Sequence, residues 1–363
     1  MDKKAAIILI NYRDYAKRFL AEAINSLREQ TYPGELIKVY IVDNASTAES
    51  REYLKIQCPE ATIIARPDGN YCAANNAGIR QGISDGCDYL VIANMDVKFD
   101  KDWLRELAVA AENSDAGAVQ SKILLYPKTE AERKNPLINS LGNVFHYLGF
   151  GYTDGYNSPD REIYGLPEIK GYGSGCSLLL KRGTVERIGG YNEEYYMYHD
   201  DVEIGWKMKL AGLKTILAPE SVICHKYDFG RSVKMVYYME RNRYLAVFSF
   251  YELKTLILLM PALIAMDLGM LFYSLINGWL KAKLDVYIYF LNSSTWKKIK
   301  AARREAEKIR VKKDSQITAD FSGKVLFQEI ENPVLKHIAN PLFSIYWHIV
   351  KNIIKAQQSS IEQ

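Results

Sequence analysis

Over the first hundred positions, short apolar runs alternate with stretches that carry apolar residues on one face only. Residues 5–10, 36–42, 62–65 and 89–97 have the length and density of strands. The last of these opens with five apolar residues and stops at Asn94, with a carboxylate at Asp96. An unbroken apolar run of that kind suits a central strand buried on both faces. Between the runs, 14–30 repeats apolar residues at Phe19, Leu20, Ala23, Ile24 and Leu27, the spacing of a helix. Residues 47–57 and 71–83 also read as helices, the second with small residues Ala73, Ala74, Ala77 and Gly78 for close packing. Strands alternating with helices predict an α/β fold, a doubly wound, mainly parallel sheet with right-handed crossovers and flanking helices. From 126 to 173 the pattern dissolves into Gly, Pro, Asn and Tyr, a length that predicts a lid or binding loop. A glycine-flanked strand at 173–180 follows, then Gly189-Gly190 and a helix opening at His199-Asp200-Asp201-Val202-Glu203.

The last third differs. A helix is expected over about 233–250, and the α/β domain is expected to end there, giving domains 1–250 and 251–363. The run 256–276 carries a single charge, Asp267, with Pro261 inside it. It is long enough to cross a bilayer, for which about 20 apolar residues suffice. A charge at the centre of a span costs about 2.5–3.5 kcal/mol. A single span would also export 296–313, which carries nine Lys and Arg against two Glu, contrary to the retention of positive charge in the cytosol. A monotopic or re-entrant helix, or a helical pair, avoids that conflict and lays the basic helix on an anionic membrane surface. A soluble helical subdomain is the other reading. The tail 342–354 adds Phe343, Tyr346 and Trp347 beside Lys351, which suits an interface.

Composition sharpens this. Hydrophobic content of 48% and charged content of 25% are ordinary, but residues 281–363 hold 15 Lys and Arg against 8 Asp and Glu. Nucleic acid is not expected, because these basic residues follow an apolar segment and lack interleaved aromatics. The five cysteines are scattered without metal-ligand spacing and read as thiols in a reducing compartment. Lys3 and Lys4 precede a run too short for a signal-peptide core, so a cytosolic body is expected.

Asp43 and Asp96 end two strands at the edge where open α/β sheets bind ligands. A carboxylate there can hold a divalent cation that in turn holds a diphosphate, and another can accept from the imide N–H of uracil or thymine. Both could equally be turn residues or helix N-caps, as Asp43, Asn44 and Ser46 allow. Asp200, Asp201 and Glu203 complement a helix dipole, yet three acids in four residues exceed what a cap needs, and one is a candidate general base. His225, alone at the end of an apolar run, has the pattern of a structural histidine. No Ser-His-Asp or Cys-His arrangement is evident.

The ordered set Ile10-Asn11-Tyr12, Gln30-Thr31-Tyr32-Pro33, Val42-Asp43-Asn44-Ala45-Ser46, Tyr71-Cys72-Ala73-Ala74-Asn75-Asn76-Ala77-Gly78, Asn94-Met95-Asp96, Gly173-Ser174-Gly175, His199 to Glu203 with Trp206-Lys207, and His225 resembles the inverting family 2 glycosyltransferases of GT-A fold. The rhamnosyltransferase-like and galactofuranosyltransferase-like branches are the nearest in pattern, over roughly 5–250. The resemblance implies that Asp43 reads the nucleotide base, with Asn11, Tyr12, Asn75 and Asn94 in the same nucleotide-sugar site. It implies Asp96 and His225 as ligands of Mn²⁺ or Mg²⁺, and Asp201 as catalytic base. Asp200, Glu203, Trp206 and Gly175 would contact the acceptor. The implied donor is a UDP- or dTDP-sugar, and the acceptor a hydroxyl of a saccharide that can be lipid-linked. The setting would be cell-surface polysaccharide or glycan assembly at the cytoplasmic face of the membrane. The segment 126–173 would set the acceptor, and Arg241-Asn242-Arg243 resembles an element that follows the catalytic domain. Asn94 replaces the first acid of the metal motif, Asn70 stands where Gly is common, and Lys207 where Arg is common. A polyprenyl-phosphate glycosyl synthase and a non-catalytic nucleotide-sugar scaffold are the alternatives. A phosphate acceptor needs no base, so the retained Asp201 favours a hydroxyl.

Overall fold

The apolar runs form the centre of one sheet. The computed structural model describes residues 2–227, 236–326 and 333–359. In it β1 (Ala5–Tyr12), β2 (Ile37–Asn44), β3 (Thr62–Arg66) and β4 (Tyr89–Ala93) lie parallel in the order β3-β2-β1-β4. The crossovers are α1 (Tyr15–Arg28), α2 (Ala48–Gln57) and α3 (Tyr71–Ser84). β1 is buried on both faces: Ile7 and Leu9 join the main core, while Ala6 and Ile8 meet α3. A Cβ on Gly78 would stand 2.5 Å from Ile8, and one on Gly82 2.7 Å from Ala6. The small residues of α3 are therefore what lets the helix sit on the sheet, and a methyl there would overpack it by about 1–3 kcal/mol.

Beyond β4 the sheet turns mixed. Asn94–Asp96 leave the sheet and β5 (Val97–Phe99) begins a separate short strand, so the expected 89–97 strand is two. α4 (Trp103–Glu112) leads to β6 (Ala118–Leu125). The segment expected to be irregular contains α5 (Glu130–Lys134), β7 (Ile138–Ser140), β8 (Asn143–Phe145) and β9 (Gly151–Thr153). β7 pairs with β6, and β8 with β9. The glycine-flanked strand is β10 (Ser177–Lys181), antiparallel between β4 and β6. α6 (Arg182–Ile188), α7 (Asp200–Leu210) and β11 (Thr215–His225) complete this part. β11 runs parallel to β6 and antiparallel to β5.

The chain divides into two compact units. The first holds residues 1–143, 153–208 and 213–227; the second holds 144–152, 209–212 and 228–363. α8 (Val236–Phe250), expected at the end of the first domain, falls in the second unit, where it packs on the helices that follow it. The expected start of that helix at 233 lies outside the described residues. In the second unit α9 (Leu253–Ile276), α10 (Leu280–Leu291), α11 (Ser293–Ile309), α12 (Asp314–Ile317) and α13 (Asn340–Ser359) follow.

Buried charge ties α8, α9 and α10 together. Arg243 donates to Glu240 through Nε and Nη2 at 3.0 and 3.1 Å and to the Leu148 carbonyl through Nη1 at 3.1 Å. Lys283 Nζ, fully buried, reaches Glu240 at 2.8 Å and Asp267 at 2.7 Å. Tyr244 and Tyr287 donate their hydroxyls to Asp267. Burial pushes the Glu240 carboxyl up, but Arg243 and Lys283 outweigh it and hold the group at about 2. The acid that interrupts the apolar run is thus paired inside the unit.

Candidate functional site

Register builds the first half of the site. At the edge of the sheet Ser177 of β10 lies opposite Ala93 of β4. On one side of that pair the chain runs on to Asn94 and Asp96; on the other it arrives through Gly173-Ser174-Gly175-Cys176. Asn94 N–H donates to the Cys176 carbonyl at 3.1 Å. β5 then pairs with the end of β11 so that His225 lies opposite Val97, and Lys226 N–H donates to the Asp96 carbonyl at 2.9 Å. His225 Nε2 therefore stands 3.5 Å from Asp96 Oδ1, both residues buried. The Nδ1–H of the same ring donates to Asn139 Oδ1 at 2.8 Å, which turns the Nε2 lone pair toward Asp96. An outer partner of this kind is how ligating histidines are held.

Asp96 and His225 fit a divalent cation: one carboxylate oxygen just before β5 and one oriented imidazole nitrogen at the end of β11. No cluster of three His, Cys, Asp or Glu occurs among the described residues. A cation here would complete its shell with water and substrate oxygens, the habit of Mg²⁺. Asn94 adds no charge to the set.

The second half is the acidic turn of α7. Asp201 Oδ1 accepts the Gly175 N–H at 3.0 Å, and a Cβ on Gly175 would lie 2.6 Å from that oxygen. Gly175 is thus the residue that lets Asp201 approach the backbone. Burial, then the neighbouring Asp200, pushes the Asp201 carboxyl well above the usual range, against the pull of the Gly175 N–H. Asp200 is raised to about 6, chiefly by burial. Tyr71, Tyr172 and Tyr191 stand around the pair, their hydroxyls pushed up by burial and by these two carboxylates. Burial, with Asp96 and Asp201 behind it, also raises the Cys176 thiol, so the two halves flank one buried residue.

Two residues expected at the acceptor face inward instead. Glu203 is buried and paired with Lys207 Nζ at 2.5 Å, and burial pushes its carboxyl up while Lys207 pulls it down. Lys207 also donates to the Gly190 carbonyl at 2.7 Å. Trp206 has no exposed surface. Helical spacing of three and four puts 203, 206 and 207 on one side, and packing turned that side into the core.

Of the nucleotide-sugar candidates, Tyr12 and Asn94 line a cleft of about 200 Å³, together with Tyr15, Asn44, Gly69, Tyr71 and Met197 among others, while Asn11, Asp43, Asn75 and Asp96 are buried. Asn11 and Asp43 form its underlying frame. They are register partners on β1 and β2, and Asn11 Nδ2 donates to Asp43 Oδ1 at 2.7 Å while Ser50 Oγ donates to Oδ2 at 2.6 Å. Asn11 Oδ1 also accepts the Ala16 N–H at the start of α1. The N-cap of α2 is Thr47, whose side chain accepts from Ser50 N–H, so neither Asp43, Asn44 nor Ser46 caps it. Asn75 is buried, its Nδ2 on the Tyr71 carbonyl at 3.1 Å.

A strained loop closes the cleft. Tyr196 sits at φ 63, ψ −62, and Met197 N–H donates to the Tyr195 carbonyl at 2.7 Å. This is a γ-turn with positive φ at its centre, a rare form. Tyr198 and His199 also have positive φ. The Tyr196 carbonyl accepts from Tyr71 and Cys72 N–H at the start of α3, and a Cβ on Gly69 would meet the Tyr196 hydroxyl at 2.8 Å. Such strain, about 1–3 kcal/mol per residue, collects at functional sites.

Residues 6–182 match the family model described as glycosyl transferase family 2. This part of the chain is a family 2 glycosyltransferase domain. Among relatives, the O-antigen biosynthesis protein RfbC of Myxococcus xanthus is 25% identical over 62% of this chain and 17% of its own length. The N-acetylglucosaminyl-diphospho-decaprenol L-rhamnosyltransferase of Mycobacterium tuberculosis (strain CDC 1551 / Oshkosh) is 28% identical over 52% of this chain and 66% of its own. The chain thus spans less than two thirds of either relative. The structure of GalNAc-T7 with UDP, GalNAc and Mn²⁺ superposes with a TM-score of 0.51 at 12% identity, over 62% of this chain and 44% of that one. At that identity the likeness speaks for the fold, which is GT-A. The domain's Asn139 and Tyr172 come from the 126–173 segment and escaped the sequence reading. Nothing in that segment's pattern marks them; the pairing of β7 on β6 places Asn139, and a bridge to Asn143 places Tyr172.

Proposed function

We propose that the chain transfers a sugar, with inversion, from a nucleoside-diphosphate sugar to a hydroxyl of a saccharide acceptor in glycan assembly. The observation that carries this is Asp201, held by the Gly175 N–H beside the Asp96–His225 pair. A carboxylate whose proton affinity is raised by burial is a stronger base than one in water, and better matched to a hydroxyl proton. Asp201 takes that proton as the hydroxyl oxygen attacks the anomeric carbon. The bond to the diphosphate breaks on the opposite face, and its electron pair leaves with the phosphate. Asp200 keeps the pair's second charge close and orients the acceptor. The Asn11–Asp43 frame and Tyr12 position the nucleotide, a uridine or thymidine diphosphate in this reading. Mn²⁺ or Mg²⁺ held by Asp96 and His225 would offset charge on the departing diphosphate. The mycobacterial relative is named for a lipid-diphosphate-linked saccharide, which supports a lipid-linked acceptor.

Asp201→Asn tests the assignment. Donor affinity, measured by calorimetry across uridine and thymidine diphosphate sugars with Mn²⁺, should hold, while turnover falls at least about a hundredfold. Turnover within a few-fold of the parent protein would move the base elsewhere. A product with the donor's anomeric configuration would sink inversion.

A further inference from the structure

We infer that the second unit lies in the plane of an anionic bilayer surface, with the outer face of α9 set among the acyl chains. α9 is 24 residues long, about 36 Å at 1.5 Å per residue. Its outer face presents Ile257, Met260, Ile264, Leu268, Phe272 and Leu275 at helical spacing, all exposed; Phe272 is 66% and Leu268 60% accessible. Every exposed residue between 255 and 276 is apolar, Gly or Pro. Among the described residues nothing covers this face. An ordinary protein interface carries a hydrogen bond every 100–200 Å² or so; this surface offers no side chain that could make one. Lipid tails ask for none.

Two observations orient the helix along the surface rather than through it. The inner face of α9 is occupied: Leu256, Leu259, Leu263 and Met266 are buried, and Asp267 is tied to Lys283, Tyr244 and Tyr287. A span would carry that cluster, with Glu240 and Arg243, into hydrocarbon, which charged groups resist. Charge complementarity then supplies the occupant. α10 exposes Leu284, Ile288 and Leu291, and the chain continues into the half-exposed Trp296 and the exposed Lys297, Lys298 and Lys300 of α11. Apolar, aromatic, then cationic is the order of a bilayer interface with acidic headgroups. The neighbouring α13, whose Tyr346 hydroxyl donates to the Leu258 carbonyl at 2.6 Å, adds exposed Leu342, Ile345 and Ile349. Nothing in this surface depends on the chemistry of the cleft.

The test uses the full chain and sealed vesicles of phosphatidylcholine with and without phosphatidylglycerol. The protein should sediment with the anionic vesicles, and high salt should weaken that binding without abolishing it, because the apolar part is not screened. Ile264→Glu with Leu268→Glu should reduce partitioning at least about tenfold with the melting curve unchanged, since both side chains are outside the core. Ile257→Gln with Phe272→Gln is the second pair, should the first fail to fold. Lys297→Gln with Lys298→Gln should lower binding to anionic vesicles by roughly fivefold per lysine and leave neutral vesicles unaffected. A monodisperse chain that ignores vesicles overturns the inference. So does a dimer that the Ile264 and Leu268 substitutions dissociate while vesicles stay unbound, which would assign the face to a second copy. Thiol labels placed before and after α9 that react from opposite sides of the vesicle would establish a span and overturn the in-plane reading.

Discussion

With Asp201 as the proposed base, replacing Gly175 by Ala separates positioning of that carboxylate from binding of the donor. The added Cβ would lie 2.6 Å from Asp201 Oδ1, and ordinary contact begins near 3.4 Å. The carboxylate, fixed in the first turn of α7, must retreat by about 0.8 Å, close to the 1 Å misplacement that costs roughly a hundredfold in rate. The retreat also stretches the 3.0 Å bond from the Gly175 N–H, a charge-assisted contact worth about 1.5–3 kcal/mol. That bond lowers the Asp201 proton affinity, so weakening it raises the affinity further and moves the acid limb of the rate to higher pH. The assay is release of nucleoside diphosphate with saturating donor and acceptor, run as a pH series, beside calorimetric donor binding. The expected result is kcat down by about a hundredfold, donor affinity within twofold or so, and the limb displaced upward. A kcat within about threefold and an unmoved limb would refute the reasoning. Equal losses in donor affinity and kcat would place Gly175 in the donor site instead.

The pH dependence of the parent protein should also be unusual. Asp200, raised to about 6 from 3.8, binds its proton more tightly folded than unfolded, so its contribution to stability is present in acid and lost as pH rises from about 4 through 6. Asp200→Asn should therefore stabilise the protein at pH 8 by about 1–3 kcal/mol after allowance for partial exposure, and have little effect near pH 4, as read by denaturant melts. Activity runs the other way, rising with pH as the pair ionises. Asn139→Ala should weaken Mn²⁺ binding, measured by titration without substrate, about 10–100-fold by freeing the His225 ring. Lys283→Met should cost about 3–5 kcal/mol in the second unit, since it leaves Glu240 and Asp267 short of a buried partner; a melt unchanged within 1 kcal/mol or so would show that Arg243 and the tyrosines suffice.

The local physics of the chain was enough for the frame of the fold. The apolar run ending at Ala93, the helical spacing of α1 and the small residues of α3 follow from period and size, which neighbouring residues express without reference to anything distant. The glycine of Gly175 could be singled out in the same way, though its purpose could not. What depended on the tertiary structure was every choice between a helix cap and a site residue. Asp43 looked like a cap until Thr47 was seen capping α2 and the β1–β2 register brought Asn11 to it. His225 looked solitary because its partners, Asp96 and Asn139, reach it only through the pairing of β11 with β5 and of β7 with β6. Glu203 and Trp206 shared a motif with Asp201 but not its face, because sequence spacing sets the angle around a helix and packing decides which angle meets water. Asp267 likewise counted only as a charge in an apolar run. Lys283, Tyr244 and Tyr287 turned it into an internal contact, since a buried carboxylate is stable only where the fold brings donors to it.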